Sequence, residues 1–247
     1  MKRSVVIDCF PSSVARYRHG YAVVAIDVIR ATTVAITAIA LGRRCFVAES
    51  LESAQHIAAR LREPLLAGEL GGDMPAGFDM NNSPAELALR DDVHRPLVML
   101  SSSGTQLMYE ASCCDEPGYI ACLRNSAATA RYLSRQHPQV AIIGAGSRNE
   151  FREEDQMCCA WIGEQLLNDG YVPENTQTME IIERWRGLPP SACSVSNSIG
   201  YLRRTNQLRD FDFILAHIND LDATYTMHHG DVAMEVAPAG KAAIRAA

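Results

Sequence analysis

The sequence predicts an α/β fold, a three-layer α/β/α sandwich around a mainly parallel but mixed sheet. Three observations predict it. Short β-branched runs alternate with segments of helical period along the chain. Strand, loop and helix in repeated order imply crossover connections, which parallel strands require. No fixed-period repeat, low-complexity tract or long linker interrupts the 247 residues. One domain over 1–247 is expected, with a possible helical excursion between Asn175 and Arg204.

The elements follow in order. Ser4 to Ile7 and Tyr21 to Ile26 are short and β-branched, as strands are. Ala31 to Leu41 has helical spacing and stops before Gly42. Cys45 to Ala48 is the next strand, and Ser50 caps a helix to about Leu61. Leu65 to Ala67 is a strand that runs into a Gly-rich stretch from Gly68 to Asn82. Ser83-Pro84-Ala85-Glu86 starts a helix, with Ser at the N-cap, Pro at the first position and Glu at the third. Pro96 to Leu100 is a strand, and Ser101 to Thr105 leads into a helix. Tyr119 to Cys122, the helix from Ser126 to Gln136 capped by Asn125, and the strand Val140 to Ile143 continue the pattern. A long helix is expected from about Glu154 to Asn168, ending at Gly170. Leu188-Pro189-Pro190 reads as a loop, and Phe211 to Ala216 and Asp231 to Val236 as closing strands.

Composition excludes several classes. The net charge is -6, with 47% hydrophobic and 21% charged residues. No run approaches the ~18–20 apolar residues of a membrane helix. The start Met1-Lys2-Arg3-Ser4-Val5-Val6-Ile7-Asp8 is charged too early and too often for a signal peptide. No Lys/Arg block offers a footprint for nucleic acid. The eight cysteines include no C-x-x-C, and none has an Arg six residues later, as a cysteine-nucleophile phosphatase would. They read as reduced thiols used as small hydrophobes, and the expected location is cytoplasmic.

Ligands of such folds bind beyond the carboxyl ends of the strands. Five predicted strand ends carry carboxylates, arginines, hydroxyls and glycines there, and no histidine. Asp27, Glu69 and Asp155 are hard oxygen ligands suited to Mg²⁺. Arg30 and Arg124 can fork onto phosphate, sulfonate or carboxylate. Ser102, Ser103, Gly104 and Thr105 open a helix whose free N–H groups favour an anion, and Thr32 and Thr33 stand similarly after Asp27. Structural readings compete with each: Asp27 as a cap, Ser102 to Thr105 as an ordinary helix start, Glu153-Glu154-Asp155 as an acidic first turn, Arg124 and Arg148 as surface residues. Glu69 between glycines is harder to explain structurally.

Three motifs fail. Gly144-Ala145-Gly146 lacks the third glycine of a dinucleotide fingerprint, and the acids after it would repel a pyrophosphate. Asp220-Leu221-Asp222-Ala223-Thr224 looks like the Asp-x-Asp-x-Thr box of aspartyl-phosphate phosphatases, but too little chain follows for the sheet that box needs, so it reads as turn and cap residues. His228-His229 reads as a C-terminal turn.

The loops as a set resemble the 2-phosphosulfolactate phosphatase family. The stretches that carry the resemblance are Ile26-Asp27-Val28-Ile29-Arg30-Ala31-Thr32-Thr33, Leu66-Ala67-Gly68-Glu69-Leu70-Gly71-Gly72 and Gly77-Phe78-Asp79-Met80-Asn81-Asn82-Ser83-Pro84. Ser102-Ser103-Gly104-Thr105, Asn125-Ser126-Ala127, Gly144-Ala145-Gly146 and Glu154-Asp155 with Cys159-Ala160 follow in family order. The resemblance implies a Mg²⁺-dependent phosphatase that releases phosphate from 2-phospho-3-sulfolactate, a step in coenzyme M biosynthesis. It implies that Asp27, Glu69, Glu154 and Asp155 are metal-side carboxylates and that Arg30, Ser103, Gly104, Thr105 and Asn125 serve the anion. Asp79 and Asn82 would orient substrate or water, and Arg124 or Arg148 would take the carboxylate or sulfonate. Asp27 as a phosphorylated nucleophile remains open. So do a phosphatase for another small phospho-acid and a non-catalytic binder of a small multi-anion. A homodimer is the expected assembly.

Overall fold

The computed structural model describes residues 3–235. Met1, Lys2 and Val236, which entered the readings of the amino terminus and the last strand, lie outside the described residues. Among the described residues ten strands form one mixed sheet: β1 (Ser4–Cys9), β2 (Ala22–Ile26), β3 (Cys45–Ala48), β4 (Leu65–Gly68), β5 (Leu97–Leu100), β6 (Gly118–Ala121), β7 (Gln139–Gly144), β8 (Val172–Pro173), β9 (Thr224–His228) and β10 (Asp231–Glu235). Their order across the sheet is β4-β5-β3-β10-β9-β6-β2-β7-β1-β8. All pairings are parallel except those of the β9–β10 hairpin.

Period-two alternation decides which core each strand residue enters. In β2, Val24 and Ile26 pack into one hydrophobic cluster, and Val23 and Ala25 into the cluster on the opposite face. β1 and β7 divide in the same way. The helices are α1 (Ala31–Ala40), α2 (Leu51–Ala59), α3 (Pro84–Ala88), α4 (Gly104–Ser112), α5 (Ser126–Gln136), α6 (Glu153–Asn168), α7 (Thr176–Trp185), α8 (Asn197–Arg204) and α9 (Leu208–Ala216). Short 3₁₀ turns occupy Pro11–Arg16 and Pro190–Val195. The cysteines are all free, and six of the eight are buried, as packing residues are.

Two sequence readings are corrected. Phe211 to Ala216 is not a strand but the body of α9, because Phe211 and Ile214, one helical turn apart, enter the core together while the residues between stay out. The partner of β10 is instead β9, formed by Thr224–His228. His229 and Gly230, at φ 48° and 85°, make the two-residue turn between them. Helix also runs past Arg204, through α9. The two-residue β8 pairs with β1 at the sheet edge, where its proline removes no interior ladder bond.

The hairpin has a consequence for the site. It separates β5 from β2 by five places in the sheet order, yet Gly104, just beyond β5, packs against Asp27, just beyond β2. That contact requires the sheet to curl. The ladder between β10 and β3, like that between β1 and β8, is two residues long.

Candidate active site

A cleft of about 500 Å³ opens beyond the carboxyl ends of β2, β4, β5 and β7. Asp27, Glu69 and Asp155, far apart in sequence, all line it. So do Arg30, Asn82, Ser102, Ser103 and Arg148.

Asp27 opens the turn after β2. Its Oδ1 accepts from Ala31 N at 3.1 Å, and no donor among the described residues bonds Oδ2. Thr32 locks the same turn: its Oγ1 donates to Asp27 O and accepts from Asp27 N. Asp155, in the first turn of α6, accepts from Val28 N at 2.8 Å and is held by the Gly146 N–H as well. One side chain thus ties the loops after β2 and β7 to α6. Glu69 is half-buried and accepts from Ser102 N, Ser102 Oγ and Gly72 N at 2.8–2.9 Å.

The carboxylates share an electrostatic problem. Burial pushes Asp27 from an ordinary 3.8 up to about 7, and the charges of Glu69 and Glu154 add to it, while the Ala31 N–H and Arg30 oppose. Asp155 is raised well above its ordinary value, first by burial and then by Asp27 and Glu154. Neither is comfortable ionised beside the other unless a cation joins them.

The four carboxylates named from the sequence do not gather as one cage. Glu154 is also buried and raised, with Ser198 and Ser196 at the start of α8 opposing the rise; its Oε2 has no hydrogen-bond partner, and it does not line the cleft. Glu69 is spent on Ser102 and Gly72. Among the described residues no group of three His, Cys, Asp or Glu is placed to hold a metal ion. The pair Asp27 and Asp155 remains.

The other candidates divide by what their polar atoms touch. Arg30 lines the cleft but is 5% exposed and already paired: Nη1 donates to Asp210 Oδ2 at 2.6 Å and to Gln207, and Nη2 to Asn81 at 3.0 Å. Arg124 is turned away from the cleft. It forks onto Asp220 at 3.0 and 2.6 Å and donates to Thr37 at 2.8 Å. Asn125 accepts from Cys122 N and donates to Thr129, serving the turn into α5. Asp79 bonds Leu66 N and Arg95 and steadies β4. Thr33 bonds Val28 O, and Thr105 bonds Ser101. None of Arg124, Asn125, Asp79, Thr32, Thr33, Gly104 or Thr105 is in the lining. In each case the sequence marks a polar residue near a strand end without showing that the backbone has claimed it. Asn82 does face the cleft: it is 2% exposed, and its Oδ1 has no partner.

Sequence reasoning missed Arg152, Asn197, Ser198, Tyr201 and Arg204, which also line the cleft. Arg152 adjoins Glu153-Glu154-Asp155 and was within reach of the motif. The α8 residues carry no local signal, because only the packing of α8 over the strand ends brings them in. Tyr201 closes that wall by donating to Gly72 O.

A family model for 2-phosphosulpholactate phosphatase matches residues 10–226. The chain belongs to the 2-phosphosulpholactate phosphatase family. The match spans every residue of the cleft. Relatives of this phosphatase family agree. A protein of Deinococcus radiodurans named probable 2-phosphosulfolactate phosphatase is 31% identical over 192 residues, 76% of this chain and 80% of its own. One from Symbiobacterium thermophilum with the same name is 35% identical over 67% of this chain and 71% of its own. One from Synechococcus sp. (strain CC9605), again so named, is 32% identical over 77% and 81%.

Gly104 explains one glycine of this family's Ser-Ser-Gly-Thr loop. A Cβ there would sit 2.0 Å from Asp27 Oδ2 and 2.5 Å from Ala31 Cβ. Gly104→Ala is therefore expected to displace Asp27, to cost about 1–3 kcal/mol of stability and to lower kcat/KM at least tenfold. Thermal melts and steady-state kinetics check both parts.

Proposed function

We propose that this chain is a Mg²⁺-dependent phosphatase that hydrolyses 2-phospho-3-sulfolactate to 3-sulfolactate and phosphate, the step used in coenzyme M biosynthesis. The observation that carries the reading is the buried Asp27 and Asp155 pair at the floor of a cleft with arginines around it.

The residues fit the ion. Each carboxylate has its Oδ1 bonded to a backbone N–H, and no donor among the described residues bonds Asp27 Oδ2. Both are raised in the absence of a cation, as a pair that shares one would be. Two carboxylates with water completing the shell suit Mg²⁺ better than a full protein cage does. Bound there, Mg²⁺ would neutralise phosphate oxygens and lower the pKa of a water. Asp27 and Asp155 hold their places through Ala31 N and Val28 N, so little reorganisation is needed when substrate arrives. Ser103, the N-cap of α4, lines the cleft and places the positive end of that helix dipole there. Arg30, fixed by Asp210, adds a buried positive charge that need not move.

Phosphate release from 2-phospho-3-sulfolactate, with Mg²⁺ and then with excess EDTA, tests the reading. Release that EDTA abolishes and Mg²⁺ restores is expected. Turnover untouched by EDTA would remove the ion, and no release with Mg²⁺ present would remove the activity. A panel of other 2-phospho-acids in the same assay ranks the substrates.

A further inference from the structure

The walls of the cleft are joined to one another in a closed ring. Ser103 Oγ donates to Gly146 O at 2.8 Å, which ties the loop after β5 to the loop after β7. The neighbouring Ser102 donates to Glu69 from its N–H at 2.8 Å and from its Oγ at 2.9 Å, which ties in the loop after β4. Gly72 N donates to the same carboxylate at 2.8 Å, and Gly71 N donates to Ser102 Oγ at 2.7 Å. From Gly72 the ring crosses to α8, where the Tyr201 hydroxyl donates to Gly72 O at 2.5 Å. It returns to the loop after β7 through Asn197 Nδ2, which donates to Glu150 at 2.9 Å. Every residue of the ring lines the cleft.

Gly72 is shaped for its joint with Tyr201. Its φ is 102°, and a Cβ there would lie 2.9 Å from the Tyr201 hydroxyl and 3.2 Å from two carbons of the ring. Its N–H goes to Glu69 and its carbonyl to Tyr201, so one residue couples the two side chains. Gly71 and Gly72 in succession give the turn little stiffness of its own. The α8 side is firm by contrast, because Ile199 and Leu202 anchor that helix in the core. On the other side, Ser102 leads through Ser103 to Gly104, whose Cβ position is 2.0 Å from Asp27 Oδ2. A shift of the Ser102 loop therefore reaches Asp27.

We propose that Tyr201 is a positioning residue of this site. It acts from the anchored α8 through Gly72 and Glu69, and holds the Ser102-Ser103 start of α4 in place against Asp27. Glu69 is the relay: one oxygen takes Ser102 N, and the other takes Gly72 N and Ser102 Oγ. The consequence for phosphoryl transfer rests on the phosphatase reading; the mechanical coupling does not.

The test is amide hydrogen exchange, followed by NMR on the full chain, in Tyr201→Phe. Phe keeps the ring against Gly72 and removes only the donor. The Gly72 and Ser102 N–H groups should exchange at least about fivefold faster than in wild type, while those of β2 and β7 keep their rates. In Glu69→Gln the relay is already cut, because the amide nitrogen offers Gly72 N no acceptor. Adding Tyr201→Phe to that variant should speed Ser102 no further. Steady-state kinetics with 2-phospho-3-sulfolactate and Mg²⁺ give the second readout. There kcat should fall about tenfold with KM unchanged, since Tyr201 acts through Ser102 and not on the substrate. Unchanged exchange at Ser102 would overturn the assignment. So would acceleration shared by β2 and β7, which marks a general loss of stability, or added acceleration in the double variant. A rise in KM at constant kcat would make Tyr201 a substrate contact and overturn it as well. A wild type that releases no phosphate refutes the proposed activity alone, and the exchange rates still decide whether Tyr201 holds the Ser102 loop.

Discussion

Asp155→Asn is expected to stop turnover, by at least about 1,000-fold, while making the metal-free protein more stable at pH 8. The two effects have one cause. Asn keeps an Oδ1 that can accept from Val28 N, so the bond that ties α6 to the loop after β2 survives. What disappears is a buried negative charge beside Asp27. In the folded chain Asp27 titrates near 7 rather than 3.8, and Asp155 is also raised. The folded state therefore keeps protons that the unfolded chain has released. Stability of the metal-free wild type must fall as pH rises from about 4 through about 7. A shift of that size in Asp27 alone corresponds to at most about 4 kcal/mol. Removing the neighbouring charge should recover roughly 2 kcal/mol of it at pH 8, a rise of several degrees in Tm. Mg²⁺ should raise the Tm of wild type at pH 8 and should raise that of the variant much less. Melts at pH 5 and pH 8, with and without Mg²⁺, decide the matter. A variant that melts lower than wild type at pH 8 without metal would contradict the account.

Asp210→Ala is expected to cost stability on a similar scale in the opposite direction. Asp210 is fully buried and accepts from Arg30 Nη1, Ser83 Oγ and Ala85 N. It joins α9 to the start of α3 and to the turn after β2. Removing it leaves the Arg30 guanidinium buried without its counter-charge, a loss of about 3–5 kcal/mol. In a chain of this size that lowers Tm by roughly 10 °C. The double variant Arg30→Met with Asp210→Ala should regain most of the loss, because the stranded charge is then gone. It should not regain activity, since Arg30 lines the cleft. If Asp210→Ala and the double variant melt alike, the penalty belongs to Ser83 and Ala85 and not to the ion pair.

The fold was legible because its signals are local. Period-two runs such as Ala22–Ile26 and the Ser83-Pro84-Ala85-Glu86 helix start declare themselves within a few residues, and Ser83 does cap α3 through Glu86 N. The misreadings fell where two periods compete. Asp-Phe-Asp-Phe-Ile-Leu from Asp210 alternates like a strand, but its core contacts are Phe211 and Ile214. The candidate site was legible in part for a related reason. In a parallel α/β sheet all the loops after strands gather on one side, so acids at those ends are bound to be neighbours. Whether a polar group there faces a ligand or a backbone amide is not a local property. Arg124 and Arg148 look alike in the sequence. Arg124 is held by Asp220, ninety-six residues on, and Arg148 is left to the cleft.

By itself the sequence determined the α/β class, the strand ends that border the cleft, and the presence there of Asp27, Glu69 and Asp155, because periodicity, capping and turn chemistry act over a handful of residues. Only the tertiary structure decided that Asp27 and Asp155 form the buried pair, that Glu154 turns to Ser196 and Ser198, and that α8 walls the cleft with Arg204. Burial, desolvation and the pairing of charges depend on contacts between segments tens of residues to more than a hundred residues apart.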